Sequence, residues 1–232
     1  MVAGSGLVAG GFKKYADNNH VLIFASGVSN SANINIAEFE REKTLLQNAL
    51  DEHQEKTFVY LSTCSVYDAS LQNSAYVIHK LAMEAMIREE HGNYHIFRVS
   101  NLAGKTNNPH TVLNFFYRHI VSGTFFYVWK NASRNIIDID HAVAVCSYMI
   151  DEKKFRNEVT NIANPVNYPV AAIIEALENI SGKNGNFELV DKGSNPDINT
   201  YNVQQLFPLL HINFDKAYLT RTLKKYYSAN DL

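Results

Sequence analysis

Tyr76 and Lys80 stand four residues apart in Ser74-Ala75-Tyr76-Val77-Ile78-His79-Lys80, a spacing that puts a phenol and an ammonium on one face of a helix. A phenol with an ordinary pKa of about 10 is a poor base at neutral pH, and a neighbouring positive charge favours its ionised form. Such a pair can move a proton to or from a substrate hydroxyl or carbonyl. Upstream, Ser62-Thr63-Cys64-Ser65 closes an apolar run with hydroxyls that can hydrogen-bond a reacting oxygen. At the start of the chain Gly4-Ser5-Gly6-Leu7-Val8-Ala9 fits G-x-G-x-x-A. Its two glycines suit a tight turn that brings a pyrophosphate close to backbone N–H groups, and the small Ala9 lets helix and strand pack closely. Each pattern taken singly also fits an ordinary amphipathic helix or a flexible glycine-rich leader. One usual partner of the glycine turn is missing. An acidic residue roughly 20 positions on reads the ribose of NAD, and an arginine takes the NADP phosphate, but Asn18 to Ala37 holds no charged residue, only His20.

The elements that must position these groups alternate. Val21 to Ala25 is an apolar run closed by Ser26-Gly27, Thr57 to Ser62 is another, and Ile36 to Glu52 between them carries apolar residues at helical spacing. A helix from about Ser74 to Glu90 and a strand from Asn93 to Val99 continue the pattern. The chain therefore reads β-α-β-α-β, which implies a parallel sheet with helices on both faces. After Asn101 the alternation breaks around Gly104, Pro109 and Gly123. A helix from Ile139 to Asp151, a strand from Val159 to Ala163 and a mixed stretch to Leu232 follow. This second part is expected to form a smaller lobe at the sheet's carboxyl edge, where open α/β sheets bind ligands.

Composition excludes several classes. The 232 residues are 46% hydrophobic and 19% charged with a net charge of −2, which fits a folded globular chain and supplies no field to recruit nucleic acid or a membrane surface. Cys64 and Cys146 form no disulfide framework and suit a reducing cytoplasm, the expected location; no leader pattern or membrane-length apolar run is present. Cys64 reads as a small packed side chain. The nine histidines lack metal-ligand spacing and read as scattered surface or capped residues, so no metal is expected. Arg221, Lys224 and Lys225 read as the charged face of a terminal helix between Phe214 and Tyr227.

Taken together, the segments resemble the short-chain dehydrogenase/reductase superfamily, in particular its extended branch of nucleotide-sugar epimerases, dehydratases and reductases. Gly4, Gly6 and Ala9 match the phosphate turn, and Phe24-Ala25-Ser26-Gly27 resembles the strand that ends beside the cofactor. The run from Phe58 to Tyr67 resembles the strand with the catalytic Ser/Thr, and Tyr76 with Lys80 matches the active-site pair. Arg98-Val99-Ser100-Asn101 resembles the R-x-x-N strand, and Arg134 to Ala144 resembles the R-x-[FY]-[IV]-x-V-x-D-[LV]-A segment.

The resemblance implies a Rossmann-like, doubly wound parallel α/β sheet that has lost its second and third strands, leaving the first at an edge and the adenosine pocket incomplete. It places the cofactor core at about 1–102 and 134–164 and the substrate lobe at about 103–133 and 165–232. It makes Thr63, Tyr76 and Lys80 catalytic, with Lys80 lowering the pKa of Tyr76 and holding the nicotinamide ribose. Gly4, Gly6, Leu7, Val8, Ala25, Ser26 and Gly27, with Tyr76 and Lys80, would bind NAD or NADP; Ser65, Asn101 and Arg134 would meet a nucleotide-sugar substrate. Dehydratases of the branch follow the hydroxyl with an acidic pair, where this chain has Cys64 and Ser65, so epimerisation or ketosugar reduction is the expected reaction. A catalytically silent relative that binds a nucleotide sugar or dinucleotide is the alternative. The helix from Tyr76 to Ile87, apolar over most of its circumference, is expected to pack on the sheet and on its copy in a homodimer.

Overall fold

The computed structural model describes residues 1–228. Five parallel strands form the main sheet: β1 (Val2–Ala3), β2 (Val21–Phe24), β3 (Thr57–Thr63), β4 (Tyr94–Val99) and β8 (Glu158–Ile162), in the order β1-β2-β3-β4-β8. Their crossovers carry α1 (Leu7–Gly11), α2 (Ile36–Glu52) and α3 (Ala75–Glu90), with α5 (Ile139–Asp151) leading into β8. The α/β fold expected from the sequence is present, with β1 a two-residue edge strand held by Val2 opposite Ile23 and Ala3 opposite Phe24.

Strand residues divide between the two faces with the period of two that a pleated strand imposes. Leu22, Phe24, Phe58, Tyr60 and Ile96 pack against Leu46 and Leu50 of α2 and Met83 and Ile87 of α3. Val21, Ile23, Val59 and Phe97 face the other way, onto Phe12, Tyr15 and the Val145 and Met149 face of α5. Both faces are thus covered, which explains why these strands read as continuous apolar runs. Side-chain caps fix where the helices begin: Asn35 accepts from the Ala37 N–H, Ser74 from Val77 and Asp138 from Asp140.

The lobe holds β5 (Asn101–Ala103), α4 (Val112–Ser122), β6 (Phe126–Trp129), β7 (Ser133–Asp138), β9 (Asn167–Pro169), α6 (Val170–Ser181) and β10 (Phe187–Val190). After α7 (Tyr201–Gln204) and α8 (Leu206–Leu209), which lie outside it, the chain closes the lobe with α9 (Tyr218–Tyr227). β7 pairs with β5 and β9, and β6 with β10. A separate apolar cluster under α4, α6 and α9 supports these strands.

Several expectations need correction. The stretch from Val203 to Ile212, assigned to the lobe, packs into the main core beside Ile150 and Ile162. The helix after the glycine turn, expected from the sequence to run to Tyr15, stops at Gly11 and gives way to a 3-10 turn, Lys13–Tyr15. Lys225 is no free surface cation: it pairs with Asp138 at 2.9 Å and Asp140 at 2.6 Å. The histidines are not all surface or capped. His91 and His95 are buried, and His79 is wedged against Glu42. On α3, Val77, Met83 and Ile87 are buried while Ile78 and Leu81 stay exposed.

Candidate functional site

A cleft of about 840 Å³ opens along the carboxyl ends of β1 to β4 and continues under the lobe. Its size lies within the range of small-molecule sites. Thirteen residues singled out from the sequence line it: Gly4, Gly6, Leu7 and Val8 after β1, Ala25, Ser26 and Gly27 after β2, Thr63 and Ser65 at the end of β3, Tyr76 and Lys80 on α3, Asn101 on β5 and Arg134 on β7.

The glycine turn is built as its sequence requires. Gly4 has φ +135, and a Cβ there would sit 2.5 Å from the Ala25 carbonyl oxygen, so only glycine lets β1 and the end of β2 approach this closely. Gly6 has open space where a Cβ would be, leaving room for a group to lie on the backbone. The turn and the glycine at 27 therefore fit the diphosphate and nicotinamide portions of a dinucleotide. On the far side the two-residue β1 is the edge of the sheet among the described residues.

At the end of β3 the Thr63 hydroxyl accepts from the Ser65 N–H at 3.0 Å and donates to the Ser65 hydroxyl at 3.0 Å. Thr63 is buried and Ser65 half-buried, so the two form a fixed hydroxyl pair at the cleft wall. Tyr76 is buried in the first turn of α3, held there by the Ser74 cap. Cys64 is buried with its Sγ 3.1 Å from the Arg98 carbonyl; burial pushes its thiol pKa up, which disarms it as a nucleophile.

The cations of the cleft carry partners that sequence reasoning missed. Lys80 Nζ donates to Glu42 Oε1 at 3.0 Å and to the Tyr60 hydroxyl at 3.1 Å. Arg134 donates to the Ser133 carbonyl at 2.8 Å and lies 3.6 Å from Asp68, whose carboxylate also accepts from Ser70 and Ser194. Burial lowers the pKa of Arg134, and Asp68 opposes the shift. Arg41 donates to the Ser26 carbonyl at 3.2 Å and, among the described residues of the cleft, is the cation without a carboxylate within ion-pair distance. Asn101 spends its amide N–H on the Asn135 carbonyl at 3.0 Å. No group of three or more His, Cys, Asp or Glu among the described residues is arranged to hold a metal ion, and no helix is long and apolar enough to cross a membrane.

Glu42 left a signal in the sequence. It occupies the inward stripe Phe39, Glu42, Leu46, Leu50, where each step of three or four residues should bring an apolar side chain.

The NAD dependent epimerase/dehydratase family pattern matches residues 13–163, most of the chain. The chain belongs to that family. Solved structures agree on the fold. UDP-glucuronic acid 4-epimerase from Bacillus cereus, in complex with NAD, superposes with a TM-score of 0.70 at 20% identity, covering 93% of this chain and 75% of that one. RMD from Pseudomonas aeruginosa, complexed with NADPH, gives 0.71 at 15% identity and covers 98% and 99%. dTDP-glucose 4,6-dehydratase from Bacillus anthracis, in complex with NAD, gives 0.66 at 15% identity and covers 95% and 77%. No curated protein matches the chain by sequence.

Proposed function

We propose that this family member is an NAD(P)-dependent oxidoreductase of nucleotide-activated sugars, an epimerase or a ketosugar reductase, that works through Thr63, Tyr76 and Lys80. The observation that carries the reading is the convergence of the phosphate turn, the hydroxyl pair and the Tyr76/Lys80 helix on one cleft at the carboxyl edge of the sheet. When bound, the nicotinamide accepts or delivers a hydride at the sugar carbon. Tyr76 takes the proton from the sugar hydroxyl as that hydride leaves and returns it in the reverse direction. Thr63, oriented by Ser65, hydrogen-bonds the reacting oxygen, and Arg134 meets the substrate diphosphate. Epimerisation and reduction need the same groups and differ in the source of the hydride: an epimerase returns the one it removed from the sugar, to the opposite face of the keto carbon, whereas a reductase consumes one brought in on NAD(P)H. Cys64 and Ser65 in place of an acidic pair speak against dehydration.

A silent nucleotide binder is the second reading, favoured by the edge position and two-residue length of β1. Turnover separates the two. Purified protein is incubated with nucleotide sugars and ketosugars, with NAD(H) and NADP(H), and any copurified nucleotide is identified. Tyr76→Phe is expected to lower kcat by roughly 10²- to 10⁴-fold while cofactor binding persists. Full activity in that variant would sink the acid–base assignment. Ligand affinity without turnover across the panel would favour the silent binder.

A further inference from the structure

Glu42 is a charged side chain with no exposure, set between the two helices and the sheet. Oε1 accepts from the Tyr60 hydroxyl at 2.7 Å and from Lys80 Nζ at 3.0 Å; Oε2 accepts from the Val28 N–H at 2.6 Å. His79 Nε2 stands 3.1 Å from Oε2, close enough for an ion pair but out of line for a hydrogen bond. One carboxylate thus ties α2 to β3, to α3 and to the loop after β2. Gly27 closes the arrangement from the cleft side: a Cβ there would fall 2.6 Å from Lys80 Nζ and 2.8 Å from Glu42 Oε1.

We infer that Glu42 is a positioning residue for Lys80, the buried counter-ion that holds its Nζ against Gly27 and Tyr60. This deepens, and rests on, the proposed acid–base role of Tyr76 and Lys80. An isolated buried ammonium is costly to desolvate and sheds its proton; a paired carboxylate with its own hydrogen bonds offsets that cost. Glu42 itself meets the condition. Burial would raise its carboxyl pKa, but the His79 imidazole, the Lys80 charge, the Tyr60 hydroxyl and the Val28 amide outweigh burial and hold it well below the usual carboxylate range. Two of the three Lys80 N–H donors go to Glu42 and Tyr60, which leaves one for a group bound in the cleft that Lys80 lines.

The test follows Lys80 directly, so that it does not depend on turnover. The full chain is labelled with [¹⁵N]lysine, Lys80 Nζ is assigned with Lys80→Met, and its signal is followed against pH in the wild type and in Glu42→Gln. The expected result is an ammonium that loses its proton at least about one pH unit lower in Glu42→Gln than in the wild type; superimposable titrations overturn the inference. Should Glu42→Gln not fold, Glu42→Asp, which keeps the charge but retracts it by one methylene, is read in the same way. It shifts in the same direction if the inference holds and coincides with the wild type if it does not. In parallel, the kcat/KM profile of Glu42→Gln falls earlier on its alkaline side, a change that a merely structural residue would not produce. Failure of the proposed function shows instead as a wild type that turns nothing over, with the Lys80 titration still readable.

Discussion

Acidification from pH 7 to pH 5 should destabilise this protein chiefly through His95, with His141, whose pKa burial also lowers, adding in the same direction. His95 sits on β4, 1% exposed, stacked on Phe97 with ring centroids 5.5 Å apart, and neither ring nitrogen has a hydrogen-bond partner. Burial first, and the Arg156 charge second, push its pKa down from 6.5 to about 4, against a small opposing pull from the Phe155 carbonyl. The unfolded chain therefore takes up a proton that the folded chain refuses. The stability from keeping this ring neutral is present above pH 6.5 and is lost as the pH falls towards 4. At pH 5 the difference amounts to roughly 2 kcal/mol, rising to a ceiling of roughly 3 kcal/mol below pH 4. His20, Glu55, Asp151, Lys153 and Arg156 line the hollow beside the ring, so a control that leaves them in place is needed. His95→Phe supplies it, keeping the stack on Phe97 and removing the titration. Urea unfolding of both proteins at pH 7 and pH 5 should show the wild type losing about 2 kcal/mol more than the variant over that interval. Glu42 does not confuse the comparison. Its folded pKa is depressed, so its contribution is lost only as the pH falls below the ordinary carboxylate range. Equal pH dependence in the two proteins would refute the reasoning.

Two further outcomes follow from the cleft. Gly4→Ala forces a side chain into a φ of +135 and to within 2.5 Å of the Ala25 carbonyl oxygen; it should cost about 1–3 kcal/mol and abolish NADH binding measured by nicotinamide fluorescence. A folded variant with wild-type affinity would show that the turn does not carry the cofactor. Arg41→Gln should weaken NADH roughly fivefold, as expected for a partly exposed charge contact, and flatten the dependence of affinity on salt; unchanged binding would remove Arg41 from the cofactor side.

Much of the frame was legible because its signals are local. Ile36–Glu52 and Ile139–Asp151 begin and end where the sequence reading places them, and α3 starts one residue after Ser74. The doubly covered strands announced themselves as unbroken apolar runs. The lobe did not, because β5 and β9 have three residues each and gain their identity only by pairing with β7, a long-range fact with no short-range trace. Histidines were misread for a related reason: nothing in the neighbours of His95 says that its ring turns into the core. The candidate site residues were found by their order along the chain, but their counter-charges were not. Glu42 was detectable as an acid in an apolar stripe. Asp68 was not, since a turn residue beside Ser70 is more simply read as making the turn.

Those counter-charges bear on what the short chain can do. A full dinucleotide site distributes its contacts over both halves of a sheet, yet here β1 is an edge of two residues with no strand paired beyond it among the described residues. What is densely built lies on the opposite side: the Thr63 and Ser65 hydroxyls, the cap under Tyr76, the three hydrogen bonds that Glu42 accepts and the glycine packed against Lys80. A buried lysine–glutamate pair is often no more stabilising than packed apolar groups of similar volume. The presence of the pair beside an open cleft is therefore explained by use of the lysine charge. On the proposed assignment, that charge serves the group bound beside Tyr76 and Lys80.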